Sequence, residues 1–355
     1  MNRILIVRLG ALGDIIHTLP AAAALRRAFP QARLDWMVDA RHREILDLVP
    51  VIDRRIVIGA GRAGSARGAA GGSDVAFTGA RGLLAAIREL RRSRYDVALD
   101  LQGLLKSAVL ARSSGAPRVI GFARGQLREP AARLFYTETR EAPGPHVIQK
   151  NLALLAALGI EHTAISFPLQ VPALPIVAAV RDRLGLREGE RFALINAGAA
   201  WPNKRWPPAL FGEVAAALRG GRHGLRSVVL WGPGEEALAG EVVSASQGAA
   251  VASPGTTLAE LVALAASAAL MVSGDTGPLH IAAAVGTPLV GIYGPTNPER
   301  NGPFAASDLT VSRFSTCTCH HRRRCTAGRW CLLDVSAQEV IDAVDRRLTA
   351  LAARA

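Results

Sequence analysis

The sequence predicts an α/β protein built from two doubly wound, Rossmann-like domains. Short apolar runs that read as strands alternate with Ala/Leu-rich helical stretches along the chain. The chain has 355 residues, half of them hydrophobic and a fifth of them charged, which is enough to bury two cores of ordinary size. Two strands each lead into a small-residue turn that opens a helix. Such alternation is typical of a parallel sheet with helices on both faces.

The first domain is predicted over residues 1–170. Residues 4–7 form its first strand, and a glycine turn then leads into a helix from about residue 14 to residue 28. Further strands are predicted at residues 33–38, 96–100 and 119–122. The glycine turn therefore lies at the carboxyl end of a strand, where open α/β sheets bind their ligands.

The second domain is predicted over residues 171–335, after a proline-rich boundary near residues 167–175. Its strands are predicted at residues 192–196 and 227–232 and around residues 271 and 290. The last segment, residues 336–355, is predicted to form a helix from about residue 337 to residue 353. We expect this helix to pack back on the first domain.

The net charge of +13 comes almost entirely from arginine. The arginines are scattered and are not interleaved with aromatic residues, which argues against a nucleic-acid surface. The charge suits an anionic lipid surface or a phosphorylated glycolipid, or it reflects an arginine-rich genome. No run of about 18 apolar residues lacks a charge, and no small-residue cleavage site follows the N-terminus. We therefore expect a cytoplasmic protein.

All four cysteines fall within fifteen residues, at Cys317, Cys319, Cys325 and Cys331. Such clustering makes a structural metal site one interpretation. The usual pair of metal ligands has two to four residues between them, and no two of these cysteines have that spacing. A surface loop of free or reversibly oxidised thiols is therefore the other interpretation. No metal or organic cofactor is expected for the chemistry itself.

Two segments carry the main chemical signals. Residues 273–280 follow an apolar strand and read as a turn that opens a helix, whose free N–H groups favour an anion such as a phosphate. In the first domain, Asp14 follows the glycine turn, where its carboxylate has two interpretations. It is either a general base at the ligand-binding edge or an N-terminal cap of its helix.

The pattern of residues 8–20 and 273–296, with the Lys204 segment between them, resembles the ADP-heptose:lipopolysaccharide heptosyltransferases of glycosyltransferase family 9. The resemblance runs from about residue 1 to residue 300. It implies the GT-B fold, in which an N-terminal acceptor domain and a C-terminal nucleotide-sugar domain face a central cleft. It also favours Asp14 as the catalytic base.

On the donor side, the resemblance implies that Lys204 stabilises the departing diphosphate and that Glu235, or its neighbour Glu236, contacts the ribose. The predicted anion site is completed by residues of the later turn, namely Asp275, Thr276, Gly277 and His280. For His280, a structural role at the start of the helix is the alternative. The chain has no Asp-x-Asp triplet for a divalent cation, so we expect metal-independent transfer.

One departure from the family is visible. Relatives have hydroxyl residues just before the lysine segment, whereas this chain has Gly198-Ala199-Ala200-Trp201, which leaves fewer hydroxyls to reach a phosphate.

On the acceptor side, residues 100–108 and 128–130 resemble the first heptosyltransferase more than the second. The residues implied as acceptor-binding are Gln102, Lys106 and Arg128. The two cations match a carboxylate or a phosphate, as in Kdo2-lipid A, although each could instead be a surface charge or part of a salt bridge.

A formal dinucleotide-binding fingerprint occurs at residues 59–64. Its glycines lead into more glycine and not into an apolar-periodic helix, and no acidic residue stands at the ribose-binding distance of about twenty positions. We interpret residues 59–82 as a mobile loop near the acceptor site. An NAD-dependent dehydrogenase would rest on this motif alone.

The residues themselves indicate an anion site, a candidate base and two crevices. The resemblance to the family implies an inverting, metal-independent transferase that moves heptose from ADP-heptose to Kdo2-lipid A, and we expect peripheral contact with the cytoplasmic face of the inner membrane. A second heptosyltransferase, or another core transferase of the family, is the nearest alternative. Alternatives of other classes are a nucleotide-sugar epimerase and a non-catalytic nucleotide-binding protein.

Overall fold

The computed structural model describes residues 1–59, 75–77, 79–161 and 164–353. The chain forms two compact units, Met1–Gln170 and Val171–Ala355. Nearly all of the fingerprint at residues 59–64 lies outside the described residues, so the loop predicted there stays a prediction. The predicted end of that loop at residue 82 is wrong, because a strand at Val75–Phe77 and a helix at Gly79–Arg92 occupy the end of the range. Within the described ranges, every helix is too short or too polar to cross a lipid bilayer.

A parallel sheet of seven strands forms the centre of the first unit. The strands are β1 (Arg3–Val7), β2 (Arg33–Asp39), β3 (Arg54–Ile58), β4 (Val75–Phe77), β5 (Val97–Asp100), β6 (Arg118–Phe122) and β7 (Glu138–Arg140). Their order in the sheet is β4-β3-β2-β1-β5-β6-β7, and all neighbouring pairs are parallel. The apolar side chains of β1 are buried on both faces, as a parallel sheet requires.

Helices cover this sheet and connect its strands. They are α1 (Leu12–Ile16), α2 (Leu19–Ala28), α3 (Gly79–Arg92), α4 (Leu105–Ser113) and α5 (Val147–Ala153). Short 3-10 segments lie at Ala40–Leu48, Arg124–Gln126, Pro130–Phe135 and Leu154–Leu158. The single helix predicted for residues 14–28 is in fact two helices, because Pro20 fits only the first turn of a helix and would clash with the carbonyl four residues earlier.

The second unit has a parallel sheet of six strands. The strands are β8 (Phe192–Asn196), β9 (Arg226–Leu230), β10 (Ala250–Ala252), β11 (Leu270–Gly274), β12 (Leu289–Tyr293) and β13 (Leu309–Ser312). Their order is β10-β9-β8-β11-β12-β13. The helices are α6 (Ile176–Leu184), α7 (Pro208–Gly220), α8 (Glu236–Ala245), α9 (Leu258–Ser267), α10 (Gly277–Ala284), α11 (Pro298–Asn301) and α12 (Ala337–Ala352), with 3-10 segments at Pro202–Lys204 and Cys331–Asp334.

Each sheet has one point at which the strand order reverses. In the first unit this point lies between β1 and β5, and in the second unit it lies between β8 and β11. Loops that leave two such strands diverge to opposite sides, which opens a crevice at their carboxyl ends. The crevice is where open α/β sheets bind ligands, so each unit has one defined position for a site.

The C-terminal helix is part of the core of the second unit. α12 packs there against α7, β12 and β13, and its predicted packing on the first domain stays a prediction. Its apolar side chains Val340 and Val344 belong to the core of that unit. A buried ion pair of 3.0 Å between Arg347 Nε and Asp308 Oδ1 also holds it there. The apolar stripe of α12 is therefore satisfied by the sheet that precedes it in the chain.

The start of α12 generates a pH prediction. Glu339 closes a capping box with Ser336 and pairs with Arg313 at 2.6 Å. The Arg313 hydrogen bond is the main cause that lowers the pKa of Glu339 to about 2. Because the folded pKa lies below the unfolded value of about 4.5, this stabilisation is complete above pH 4.5 and is lost as the pH falls through 2.

We predict that Glu339→Gln lowers the free energy of unfolding by about 0.5 to 1 kcal/mol at pH 7 and by much less near pH 2, measured by urea denaturation. Glutamine keeps the capping contact, so the loss isolates the charge. Glu260→Gln is the matched control, because Glu260 closes a capping box with Thr257 and the structure gives it no arginine partner among the described residues. Equal losses in the two variants would contradict the prediction.

Candidate functional site

The second unit places polar groups at its strand-order reversal. Asn196 is the last residue of β8, and its Nδ2 donates to Ser273 Oγ and to Thr276 Oγ1, both at 3.0 Å. Ser273 lies in the neighbouring strand β11, and Thr276 lies in the turn after it. The two strand ends are therefore joined by side-chain hydrogen bonds at the point where the crevice opens.

The amino end of α10 lies in this crevice. Thr276 is its N-cap residue, Gly277 is its first residue, and both are partly exposed. The Thr276 side chain makes no cap hydrogen bond, because it is already bonded to Asn196. The first N–H groups of a helix have no carbonyl partner within the helix, and they carry partial positive charge. This end is therefore suited to a phosphate group.

Asp275 is the centre of a buried network beside this helix end. Its Oδ2 accepts hydrogen bonds from Lys204 Nζ at 2.5 Å and from Thr296 Oγ1 at 2.7 Å. Its Oδ1 accepts from Asn301 Nδ2 at 2.9 Å and contacts His280 Nε2 at 3.2 Å. One carboxylate thus joins the helix that follows it to the Lys204 segment and to the segment that carries Thr296 and Asn301.

The charges of this network favour an ionised carboxylate. Burial by itself raises the pKa of Asp275, but the hydrogen bond and charge of His280, together with Lys204, hold that pKa far below its usual range. Asp275 is therefore an anion that positions the cation Lys204, and its oxygens are fully occupied by protein donors. Direct contact of Asp275 with a phosphate is not what this geometry favours, while His280, which is 5% exposed, fits the structural role.

Side-chain and backbone contacts hold the Lys204 segment in place. The indole of Trp206 is buried, and its Nε1 donates to Val335 O at 3.0 Å. The Lys204 ammonium lies 4.6 Å from the centre of the Trp201 ring. A Cβ on Gly274 would lie 3.1 Å from Lys204 O, so the glycine at the end of β11 allows this segment to approach closely. The lysine is thus held over the end of the strand.

The Glu235 side chain accounts for the glycine at position 198, where this chain lacks the hydroxyl residues of its relatives. The Glu235 carboxylate occupies the space that a Cβ on Gly198 would need, and its Oε2 accepts from Gly232 N at 3.0 Å. Its Oε1 lies 3.9 Å from Arg205 Nη2. Glu236, in contrast, is exposed. The structure therefore places Glu235 at the crevice, and its predicted contact with the ribose stays a prediction.

The cysteine-containing segment packs against the same crevice. His321 N donates to Pro295 O at 2.8 Å, and Asn203 Nδ2 donates to Arg322 O at 2.8 Å. Arg323 lies 5.8 Å from the centre of the Trp201 ring. The segment therefore borders the loop that carries Lys204.

The thiols within this segment lie close together. Cys319 Sγ lies 3.5 Å from Cys317 Sγ and 3.2 Å from Cys325 Sγ, and all four cysteines are free thiols. Burial is the main cause that raises the pKa of Cys317 and of Cys331. In the described part of the chain, no three His, Cys, Asp or Glu side chains are arranged to hold a metal ion. The geometry therefore gives the metal interpretation no support.

In the first unit, Asp14 lies beside the end of β1. Its Oδ1 pairs with Arg8 Nη2 at 2.8 Å, and its Oδ2 accepts from Ala11 N at 3.2 Å. It therefore does cap α1, while 39% of its side chain remains exposed. Arg8 is itself buried and donates to Leu101 O in the loop after β5. Asp14 therefore caps α1 and still keeps part of its carboxylate exposed.

A second buried carboxylate organises the loop that carries Gln102. Asp100 accepts from Tyr136 Oη at 2.7 Å and from Ser107 Oγ at 2.9 Å, and its Oδ1 also accepts from the N–H groups of Gln102 and Gly103. Burial raises the pKa of Asp100 despite these bonds.

The three residues predicted to bind the acceptor differ in their contacts. Gln102 Oε1 accepts from Leu9 N at 2.7 Å, so this side chain ties the loop after β1 to the loop after β5. Lys106 and Arg128 are exposed, and within the described residues neither forms an ion pair. The structure thus favours a positioning role for Gln102, and it leaves the two cations open to a ligand.

Several residues that build these crevices were not predicted. They are Arg8, His42, Asn196, Trp201, Thr296 and Asn301. Arg8, Asn196 and Thr296 each stand at or just after the carboxyl end of an apolar strand, so polarity at that position was a usable signal. His42 packs on Gly10, where a Cβ would lie 2.6 Å from its Cδ2. Only the fold brings that pair together.

The network around Asp275 makes a direct prediction. Asp275→Asn should lower the free energy of unfolding by about 3 kcal/mol, because it leaves buried donors and Lys204 without their anion. Thr296→Val removes a single neutral hydrogen bond and should cost only about 1 kcal/mol. Urea denaturation measures both losses. If the two variants are equally stable, Asp275 is not the organising charge.

The chain shows clear similarity to known proteins. The model of glycosyltransferase family 9 (heptosyltransferase) matches residues 83–331. Lipopolysaccharide heptosyltransferase 1 of Pseudomonas aeruginosa is 31% identical over 328 residues, which cover 91% of this chain and 87% of that protein.

Solved structures share the fold. A family 9 glycosyl transferase from Veillonella parvula has a TM-score of 0.77 at 23% identity, covering 98% of this chain and 97% of that one. E. coli heptosyltransferase WaaC with ADP has a TM-score of 0.73 at 24% identity, covering 97% and 99%. The predicted pair of Rossmann-like domains is therefore confirmed. Together with the family match, these findings lead to the conclusion that the chain belongs to glycosyltransferase family 9, the heptosyltransferases, and is a glycosyltransferase.

Proposed function

We propose that the protein is an inverting, metal-independent transferase that moves L-glycero-D-manno-heptose from ADP-heptose to a Kdo sugar of Kdo2-lipid A. The observation that carries the donor side is the position of the α10 amino end and the Lys204–Asp275 pair at the strand-order reversal of the second unit. An ADP diphosphate needs backbone N–H donors and a nearby cation, and both are present there. WaaC of E. coli has been solved with ADP, which supports the same ligand class.

The donor residues divide into two roles in this proposal. Thr276 and Gly277 bring the helix N–H groups to the diphosphate, and Lys204 offsets its charge as the bond to heptose breaks. Asp275 and His280 hold Lys204 and the helix in place, as their mutual contacts indicate. Glu235 accepts hydrogen bonds from the ribose in this proposal.

The proposed reaction is one direct displacement. The Asp14 carboxylate accepts the proton of a Kdo hydroxyl, and the hydroxyl oxygen forms a bond to the anomeric carbon of heptose. The bond from that carbon to the diphosphate breaks on the opposite side, so the configuration inverts and ADP departs with the electron pair. Arg8 holds one oxygen of Asp14, which fixes the direction of the carboxylate.

The proposal also includes the acceptor and the cellular location of the enzyme. Lys106 and Arg128 are exposed cations of the first unit and suit the carboxylate of Kdo or a phosphate of lipid A. In this proposal the enzyme acts in the cytoplasm, in peripheral contact with the inner membrane that holds the lipid-anchored acceptor. The alternatives are transfer of the second heptose or of a later core sugar and, in another class, nucleotide binding without catalysis.

The first test is transfer from ADP-heptose to Kdo2-lipid A by purified protein in the presence of EDTA, with the lipid read by mass spectrometry. We expect the mass of one heptose to be added. A heptosylated lipid A that gains a heptose while Kdo2-lipid A does not would replace the proposed acceptor. ADP binding without any transfer would favour the non-catalytic alternative.

The second test separates chemistry from binding. Asp14→Asn keeps an oxygen for the Ala11 N–H group but removes the base, so turnover should fall by about two orders of magnitude or more. Affinity for ADP-heptose should change by less than about twofold, because Asp14 belongs to the other unit. Turnover equal to that of the unchanged protein would exclude Asp14 as the base. Thermal unfolding serves as the control for folding.

A further inference from the structure

Several exposed apolar side chains of the first unit lie on adjacent elements. Leu84 of α3 is 57% exposed, Leu105 and Val109 of α4 are 40% and 38% exposed, and Leu134 in Pro130–Phe135 is 83% exposed. They account for half of the large exposed hydrophobic residues in the described ranges; the others are Met1, Val171, Trp330 and Leu333. Leu105 and Val109 are four residues apart on one helix and therefore share a face.

The topology places these elements on one side of the sheet. The connections from β4 to β5, from β5 to β6 and from β6 to β7 all step in the same direction across the sheet. Because crossovers between parallel strands are right-handed, α3, α4 and Pro130–Phe135 lie on the same face. Direct packing of α3 on α4, and of α4 on Pro130–Phe135, agrees with this. We call this surface the α3–α4 face.

The α3–α4 face contains an open pocket of about 380 Å³. Its lining includes the apolar side chains Val109 and Phe135 and the cations Arg91 and Arg112. Three separate elements therefore meet at a concave surface that is partly apolar and carries cations. A contiguous exposed patch of this kind marks an interaction site more often than isolated exposed hydrophobics do.

The charge of the face has one sign. Its cations are Arg88, Arg91, Arg92, Lys106, Arg112, Arg128 and Arg133. The acidic residues among the described side chains of these elements are Glu89 and Glu129, and both are already engaged. Glu89 pairs with Arg54 at 2.8 Å, and Glu129 Oε2 accepts from Leu105 N at 2.6 Å. The free charge on this face is therefore positive.

We propose that the α3–α4 face docks the protein on an anionic phospholipid bilayer. Exposed aliphatic side chains ringed by arginine are the composition that lies at a membrane interface, where the apolar groups enter the acyl boundary and the cations contact lipid phosphates. Lys106 lies on α4 and Arg128 lies two residues before Pro130–Phe135, so docking would bring the proposed acceptor residues near the membrane surface. The inference deepens the proposed function and rests on it only for that last step.

Charge complementarity selects the bilayer over a second copy of the chain. Two copies that met through this face would bring arginines of one against arginines of the other, which is unfavourable at short distance. An anionic bilayer supplies the opposite charge over the whole face.

The test is co-sedimentation of the full chain with vesicles of phosphatidylglycerol and phosphatidylcholine, and with vesicles of phosphatidylcholine alone. We expect binding to the anionic vesicles that weakens as salt is added. Val109→Ser/Leu134→Ser and Arg91→Gln/Arg112→Gln should each lower the partition coefficient by about tenfold or more. ADP affinity, measured in solution, should be unchanged in both pairs.

Matched controls come from the second unit. Val171→Ser/Leu333→Ser removes two other exposed apolar side chains, and Arg183→Gln/Arg187→Gln removes two other exposed arginines. These pairs should keep most of the vesicle binding. Equal losses in the control pairs would show non-specific charge attraction and overturn the proposal, as would a dimer in solution that the face variants dissociate.

Transfer to detergent-dispersed Kdo2-lipid A separates this proposal from the proposed function. The face variants should keep that activity while losing activity on vesicle-embedded acceptor. If the unchanged protein has no transferase activity in detergent, the proposed function fails, whereas vesicle partition still decides the docking face. If the face variants bind vesicles as the unchanged protein does, the docking face fails alone.

Discussion

The ionised, buried carboxylate of Asp275 is the interaction on which the candidate donor site depends. It binds His280 of the helix that follows it, Thr296 and Asn301 of a later segment, and Lys204 of an earlier one. An unpaired charge at that depth would be strongly unfavourable, so the four donors are constrained to meet it. Their meeting fixes the lysine beside the amino end of α10. The Lys204 ammonium lies near the amino end of α10 because it neutralises the buried Asp275 carboxylate there.

The first unit also has a buried carboxylate at the end of a strand, but its hydrogen-bond partners differ. Asp100 ends β5, the strand across the reversal point in the first sheet, and Asp275 follows β11, the corresponding strand of the second sheet. Asp100 accepts from neutral donors, and burial raises its pKa, whereas Lys204 and His280 lower the pKa of Asp275. The chain thus places a buried carboxylate at equivalent positions of two similar sheets. One organises a loop through neutral groups, and the other organises a charged site.

The loop held by Asp100 also connects the crevice of the first unit to its surface. Ser107, which donates to Asp100, lies in α4 between the exposed residues Lys106 and Val109. The same short stretch therefore has a buried side that fixes the loop of Gln102 and an exposed side that carries a cation and an aliphatic group. Helix α4 therefore contributes both to the crevice of the first unit and to the α3–α4 face.

The amino-acid sequence alone determined the strand and helix alternation, the two small-residue turns, and the positions of Asp14 and Asp275 at those turns, because periodicity and strand-end polarity are local properties. Lys204 was predicted only through the family resemblance. The sequence did not determine that α12 completes the second unit, that Asp275 is saturated by four donors, or that Glu235 fills the space above Gly198. Those depend on contacts between residues distant in the chain. The break between α1 and α2 was readable from Pro20, but the pairing of Arg8 with Asp14 required the folded sheet to bring strand end and helix start together.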